Sequence, residues 1–334
     1  QDIPESTGVL VIGGGNAGLC AAITAREGGA EVFLAEHAPK NMRGGNSRHT
    51  RNCRVAHDEA SGFLTGPYTE EEYWQDLLRV TGGETNEQLS RFLLNRSQDL
   101  PAWMEDHGVT FQKALGGTLS LSHSNAFFMG GGKALVNAFY ATAERLGVGT
   151  SYNTEVIDLD FTDGTFTSAT LIVDGQEKKI NAKAVVVAAG GFQADLDWLK
   201  EYWGPPADNF IVRGTGFNKG KLLRVLLDAG ARPVSDPTQG HCVAIDARSP
   251  KYDGGIVTRL DCVAFGIVVD KNCDRFYDEG EDFWPKRYAI WGRLVAKQPD
   301  QIGYSIIDSK SIDLFMPSVF PPVTGDTIEE LAEN

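Results

Sequence analysis

Between Glu36 and Asp58 the chain has no acid, yet Lys40, Arg43, Arg48, Arg51 and Arg54 fall there, with His49 and His57 among them. The formal net charge is −14, so this stretch is a local inversion of sign. Guanidinium groups in a Gly- and Asn-rich loop suit bidentate recognition of phosphate or carboxylate. The stretch reads as an anion site for a pyrophosphate, substrate carboxylates or both. The alternative is a solvated loop that pairs with acids elsewhere. A second kind of chemistry lies just upstream. Gly13-Gly14-Gly15-Asn16-Ala17-Gly18 follows Val9-Leu-Val-Ile12 and precedes an Ala-rich helix, Glu31-Val-Phe-Leu34 and Glu36. Gly13 permits a tight turn, Gly15 lets the backbone approach a pyrophosphate, and Gly18 lets the helix pack closely on the sheet. The helix N-terminus, with Asn16 and Ala17, offers amide donors and partial positive charge to phosphates. Glu36 can accept hydrogen bonds from ribose hydroxyls. An acid there disfavours a 2′-phosphate, which selects FAD or NAD over NADP.

The elements that must position these residues can be read from periodicity and turn chemistry. Residues 8–36 form a βαβ unit with its helix over 16–28, and residues 38–68 are irregular. Residues 69–107 read as helices: Thr69-Glu-Glu-Glu72 gives a capping-box start, Asn86 can cap the next segment, and Pro101 predicts a break or kink. A second Gly-rich loop covers 116–132, and a helix over about 132–146 stops at Gly147. Within 150–182, short strands at 154–161, 167–173 and 178–180 are joined by Asp163-Gly164 and Asp174-Gly175. This predicts an antiparallel meander inserted before the next core strand. That strand, Ala184-Val-Val-Val-Ala-Ala189, is apolar throughout, as expected when both faces are covered. It ends in Gly190-Gly191. A helix over 219–229 stops at Gly230, and a loopier texture with a hairpin at 264–278 begins near 236.

Composition bounds the answer further. A chain of 334 residues is expected to form two units, placed here at 1–235 and 236–334. The acidic balance argues against nucleic acid or an anionic membrane surface as partner. The five cysteines have no CxxC spacing, which argues against a disulfide framework, a zinc site and an iron–sulfur cluster, and no metal site is expected. No apolar run approaches the roughly 20 residues of a membrane span. Gln1-Asp-Ile-Pro-Glu5 does not have the form of a secretory signal. A reducing cytoplasm is the expected location.

Gly44-Gly45-Asn46-Ser47 after the ribose acid, the meander, and Val185-Val-Val-Ala-Ala-Gly190-Gly191 resemble the fumarate reductase and succinate dehydrogenase flavoproteins. Three further stretches, Arg43–Asn52, Asn125–Ala134 and Arg275–Arg287, are similar within that family to the tricarballylate dehydrogenases, and also to a related cobalamin-pathway flavin oxidase. The resemblance implies an α/β FAD-binding Rossmann-like domain with a meander, plus an α+β capping domain. It implies that Arg43, Gly44, Gly45, Asn46 and Ser47 lie along the flavin. Ala189, Gly190 and Gly191 would close over FAD, Val156 would give its backbone to the adenine, and His37 would sit beside Glu36 among the cofactor contacts. The position at which succinate dehydrogenases tether FAD falls nearer Ser47 than His49, so FAD is expected to be non-covalent.

In the capping domain the resemblance points to Gln239-Gly240-His241, whose histidine binds a dicarboxylate in the relatives; the alternative is a hinge histidine satisfied by backbone groups. The reductases carry a catalytic arginine after Arg-Phe-x-x-Glu. Here, after Arg275-Phe276-Tyr277-Asp278-Glu279, the matching position is Phe283. Lys286 and Arg287 are the nearest cations, and Arg287 is the expected proton-transfer group, with Glu281 or Asp282 to take the proton on. Arg275 itself reads as structural. Members return from the cap to the FAD domain. Thr327-Ile-Glu-Glu-Leu331 reads as a cap helix close to Asn334, so the C-terminal part of the fold is expected to be missing. The implied reaction is oxidation of tricarballylate to cis-aconitate. The implied partners are a polycarboxylate substrate and a separate electron acceptor, an iron–sulfur or membrane-associated protein. A fumarate- or urocanate-type reductase and a catalytically silent nucleotide-binding fragment are the competing readings.

Overall fold

A computed structural model describes residues 2–117, 120–281 and 288–334. The chain packs as two units, Gln1–Trp198 with Gly214–Ser235, and Leu199–Arg213 with Asp236–Asn334. Residues 199–213 pack with the second unit, whereas composition had put them in the first.

The first unit opens with strand β1 (Ser6–Ile12), helix α1 (Asn16–Glu27) and strand β2 (Val32–Ala35). These are the elements that alternation and the glycine turn predicted. After the short β3 (Asn52–Arg54) come α2 (Glu70–Thr81), α3 (Glu87–Arg96) and α4 (Leu100–Asp106). Thr69 Oγ1 accepts from Glu72 N at 3.1 Å and Asn86 Oδ1 from Leu89 N at 2.9 Å, so both helices start at their capping residues. Pro101 lies in the first turn of α4, behind a 3-10 turn at Ser97–Asp99, and the break falls there. Within the expected loop at 116–132, β4 (Asn125–Phe127) pairs antiparallel with β3. Three residues are too few to announce a strand by alternation. Helix α5 (Gly131–Arg145) and strands β5 (Gly149–Ser151), β6 (Thr154–Thr162), β7 (Thr165–Val173) and β8 (Gln176–Val187) follow.

The sheet has six strands in the order β5-β2-β1-β8-β7-β6, parallel from β5 to β8 and antiparallel beyond. On one face α1 and α5 bury Val11, Leu19, Leu34, Leu135 and Phe139. On the other, Leu10, Ile12, Val156, Leu171 and Leu222 form a second core.

Two expectations are corrected here. The meander is not inserted before the core strand: its third strand and the core strand are one strand, β8. Residues 176–181 of β8 pair with β7 and residues 181–187 pair with β1. Asn181-Ala-Lys183 contains neither Gly nor Pro, so nothing forces the strand to stop between its two neighbours. Nor is the apolar half of β8 covered on both faces. Ala184 and Val186 are exposed, although Val11, the partner of Val186 on β1, is fully buried.

The first unit continues into α6 (Leu196–Trp203), which enters the second unit, and resumes with α7 (Lys221–Asp228). In the second unit β9 (Ile267–Val269), α8 (Trp291–Ala296), β10 (Tyr304–Ile306) and α9 (Ile328–Glu333) stand among 3-10 turns. The expected hairpin at 264–278 is a turn whose arms part. Asp270 Oδ1 accepts from Asn272 N and Asp274 N, only Val269 bridges Arg275, and β9 pairs instead with β10. Arg275 Nε donates to Glu279 at 2.8 Å, and Glu279 also takes Val268 N at 2.7 Å, in keeping with a structural role for Arg275.

Candidate functional site

The first unit contains a groove of about 410 Å³. The end of β1, the start of α1, the end of β2, the 3-10 turn at Gly45–His49, the start of β6 and the end of β8 all open onto it. Gly13 has φ +99, and a Cβ there would meet Ala188 C at 2.8 Å and Ala189 Cα at 3.0 Å. Gly13 N donates to Ala35 O at 2.9 Å and Ala188 N to Ile12 O at 2.8 Å, so the turn interlocks with both neighbouring strands. Gly18 packs on the Gly13 carbonyl, which brings α1 against the turn. Helix α1 has neither a side-chain cap nor an acid in its first turn. Its positive end is thereby left to an anion. Asn16 N donates to Ser47 Oγ at 2.9 Å, while Asn16 Oδ1 is buried with no hydrogen-bond partner among the described residues. A helix start without a side-chain cap and an orphaned polar atom fit the diphosphate of a dinucleotide.

Glu36 is 6% exposed. Its Oε1 accepts from Ala38 N at 2.9 Å, and its Oε2 from Gly14 N and Gly44 N at 3.2 Å and from the Tyr140 hydroxyl at 3.3 Å. The expected ribose ligand is therefore also the tie between the glycine turn and the Gly44-Gly45-Asn46-Ser47 loop. Gly13, Gly15, Asn16, Ala17, Glu36, His37, Gly45, Asn46, Ser47, Val156, Ala189, Gly190 and Gly191 all line the groove.

Gly18, Arg43 and Gly44 are not among its lining residues. Arg43 stacks over the Tyr140 ring at 4.1 Å and donates to the Tyr152 hydroxyl at 2.7 Å and Asn137 Oδ1 at 2.9 Å. Gly44 packs on Val136 of α5. The other arginines of the basic stretch also turn to separate partners. Arg48 donates to Met42 Sδ, Arg51 lies over the Phe127 ring, and Arg54 sits 3.9 Å from Asp76. None of the five cations of this stretch lines the groove. These cations are long enough to reach rings and acids brought up by α2, β4, α5 and the turn between β5 and β6, and partial desolvation favours those partners.

The sequence reading missed residues 215–223, which supply Thr215, Phe217, Asn218 and Gly220 to the groove. Asn46 Oδ1 accepts from Thr215 N at 2.9 Å, and the Phe217 ring meets His37 edge-on at 5.2 Å. The available signal was Gly214-Thr-Gly-Phe-Asn-Lys-Gly220, a second glycine loop running into a helix.

His241 lies in the second unit. Gln239 beside it accepts from Arg293. The His241 ring meets Tyr288 edge-on at 5.2 Å. Loss of water around the imidazole, then the charges of Arg213 and Arg259, push its pKa from an ordinary 6.5 down to about 4. The residue is exposed as a whole, yet the ring that titrates is packed by Tyr288 and faces two guanidiniums. At neutral pH it is an uncharged donor. The unfolded chain binds a proton at higher pH than the folded one, so stability contributed by neutral His241 is present above about 6.5 and lost as pH falls towards 4. His241→Gln is therefore expected to flatten the fall in melting temperature between pH 6.5 and 4; an unchanged slope sinks this. Arg287, like Asp282, Phe283 and Lys286, lies outside the described residues.

Among the described residues no His, Cys, Asp and Glu group could hold a metal ion, and no helix is long and apolar enough to cross a membrane. The five cysteines are free thiols, and burial pushes Cys53 up to about 12.

Comparison with known proteins gives three kinds of likeness. A family described as FAD binding domain matches residues 8–300. The chain is 24% identical over 348 residues to the NADH:fumarate oxidoreductase of Klebsiella pneumoniae (strain 342), an alignment covering 99% of this chain and 36% of that one. It is 25% identical over 234 residues to the vinyl phenol reductase of Lactiplantibacillus plantarum, covering 68% of this chain and 46% of the relative. The chain thus spans between about a third and about half the length of these curated relatives. In fold it is similar to the open conformation of a flavocytochrome c3 fumarate reductase, with TM-score 0.73, 22% identity, and coverage of 98% of this chain and 58% of the other. A 3-ketosteroid-Δ4-(5α)-dehydrogenase from Rhodococcus jostii RHA1 gives TM-score 0.72 at 20% identity, covering 93% and 68%.

Proposed function

The chain belongs to the FAD binding domain family, among the fumarate reductase and succinate dehydrogenase flavoproteins; FAD is its cofactor, and from that membership we propose a flavin-dependent dehydrogenase. Its reaction is oxidation of a carbon–carbon bond beside a carboxylate, tricarballylate to cis-aconitate. Gly13, Gly15, Asn16 and Ala17 hold the diphosphate, Glu36, His37 and Val156 the adenosine, and Gly45, Asn46, Ser47, Ala189, Gly190 and Gly191 the flavin side. When bound, FAD supplies a hydride acceptor; the protein supplies position and field.

The observation that carries the substrate class is the positive charge gathered around a neutral histidine in the second unit. His241 donates to a carboxylate, with Arg213 and Arg259 beside it. Orientation by such a clamp can lower a barrier by up to roughly 7–11 kcal/mol. Arg287 takes the proton alpha to a carboxylate. With a pKa above about 12, it can do so only if a neighbouring acid, Glu281 or Asp282, accepts the proton in turn. Turnover needs a separate electron acceptor, an iron–sulfur or membrane-associated protein. A second reading, reduction of a double bond, is favoured by the reductase names of the vinyl phenol and flavocytochrome c3 relatives.

Anaerobic mixing of the FAD-loaded protein with tricarballylate, succinate or a monocarboxylate separates these readings. Flavin absorbance is expected to bleach fastest with tricarballylate and least with the monocarboxylate. Equal rates would remove the carboxylate clamp. No bleaching with any of them, together with reoxidation of dithionite-reduced flavin by fumarate, would move the assignment to the reductase.

A further inference from the structure

The geometry points to Arg259 as a carboxylate receptor of the second unit, sharing one substrate carboxylate with His241. This rests on the polycarboxylate reading above and adds to it a residue that no sequence motif singled out.

Arg259 is only 2% exposed and is the largest fully buried side chain among the described residues. A guanidinium stays charged at any ordinary pH. Burying it is costly unless it is paired and its donors are used. One side of it is accounted for: Nε donates to Asp261 Oδ1 at 2.5 Å, and Asp261 is itself 3% exposed. Its Nη2 is buried and makes no hydrogen bond among the described residues. A purely structural ion pair would be expected to use this donor on a carbonyl.

The surroundings say what the donor is for. The guanidinium lies 4.5 Å from the centre of the Tyr288 ring, and the His241 ring meets the same tyrosine at 5.2 Å. One aromatic side chain therefore seats both groups. Their backbones are also held in register, because Ile245 bridges Arg259 and Leu260 N donates to Ala244 O at 2.9 Å. Asp261 balances one positive charge here, and Arg213 adds another that acts on His241. The donor left unused on Arg259 is Nη2. Together with an N–H from the neutral His241 imidazole it suits a carboxylate, which accepts through two oxygens.

The test uses the FAD-loaded protein at neutral pH, with calorimetric titration of tricarballylate and succinate and thermal melts in inorganic sulfate. Arg259→Lys keeps the charge opposite Asp261 and hence the fold, but loses the Nη2 donor. It is expected to weaken both carboxylates about 10- to 100-fold while leaving FAD affinity unchanged. Arg259→Gln should do the same or more, and Arg259→Lys carries the test if the glutamine variant does not fold. In a double-mutant cycle, His241→Gln and Arg259→Lys should be non-additive, since they hold one anion. If the wild type binds neither carboxylate but sulfate raises its melting temperature and not that of Arg259→Lys, the anion site stands and the substrate reading falls. The proposal is overturned if Arg259→Lys binds as the wild type does, if the two substitutions are additive, or if no anion acts on the wild type.

Discussion

Gly13→Ala is expected to cost the first unit about 2–5 kcal/mol and to release the bound flavin. At φ +99 an L-residue is strained by roughly 1–2 kcal/mol. The new Cβ would also press on the backbone of Ala188 and Ala189, which cannot swing aside as a side chain could. Ala188 is pinned to Ile12, so relief requires moving β8 away from β1. Overpacking of this kind adds about 1–3 kcal/mol. Gly29→Ala is the control: φ is +87 but nothing lies within 4 Å, so only about 1 kcal/mol of backbone strain is expected. Urea unfolding of both variants, with flavin absorbance after desalting, makes the comparison. Equal losses would show that close packing at the turn is not what excludes a side chain.

Glu36→Gln is expected to destabilise the first unit by about 2–4 kcal/mol even without flavin. One carboxylate accepts from Ala38 N, Gly14 N, Gly44 N and the Tyr140 hydroxyl, all at buried positions or beside them. An amide in the same place turns an NH₂ towards one of those donors and leaves it unsatisfied, at about 1–3 kcal/mol for each group stranded. The glycine turn and the Gly44–Ser47 loop would then lose their common anchor. FAD affinity should fall by tenfold or more as a consequence. Thermal melts of the flavin-free protein discriminate here. If Glu36 served only a ribose, the flavin-free variant would melt with the wild type.

The parts of this protein that could be read in advance are those whose causes lie within a few residues. The β1–α1–β2 unit follows from an apolar run, a glycine turn and an Ala-rich helix. The starts of α2 and α3 follow from Thr69 and Asn86, each of which bonds an amide three residues on. The fate of the basic stretch could not be read this way. Its arginines are separated from their partners by long spans of chain, 109 residues from Arg43 to Tyr152 and 94 to Asn137. Which ring or acid meets a guanidinium depends on which helix the sheet order brings alongside.

Sequence by itself determined the dinucleotide-binding motif, because torsional freedom at Gly13, room at Gly15 and an acid at Glu36 are properties of single residues at fixed spacing. Tertiary structure alone decided that Glu36 is also a structural knot and that β8 serves two neighbours along its length. It also closed the groove with residues 215–223 and left Arg259 buried with a donor unused. The physical reason is the range of the forces involved. Backbone torsions and capping bonds are settled locally, whereas burial, and the hydrogen-bond satisfaction that burial demands, is settled only when distant segments pack.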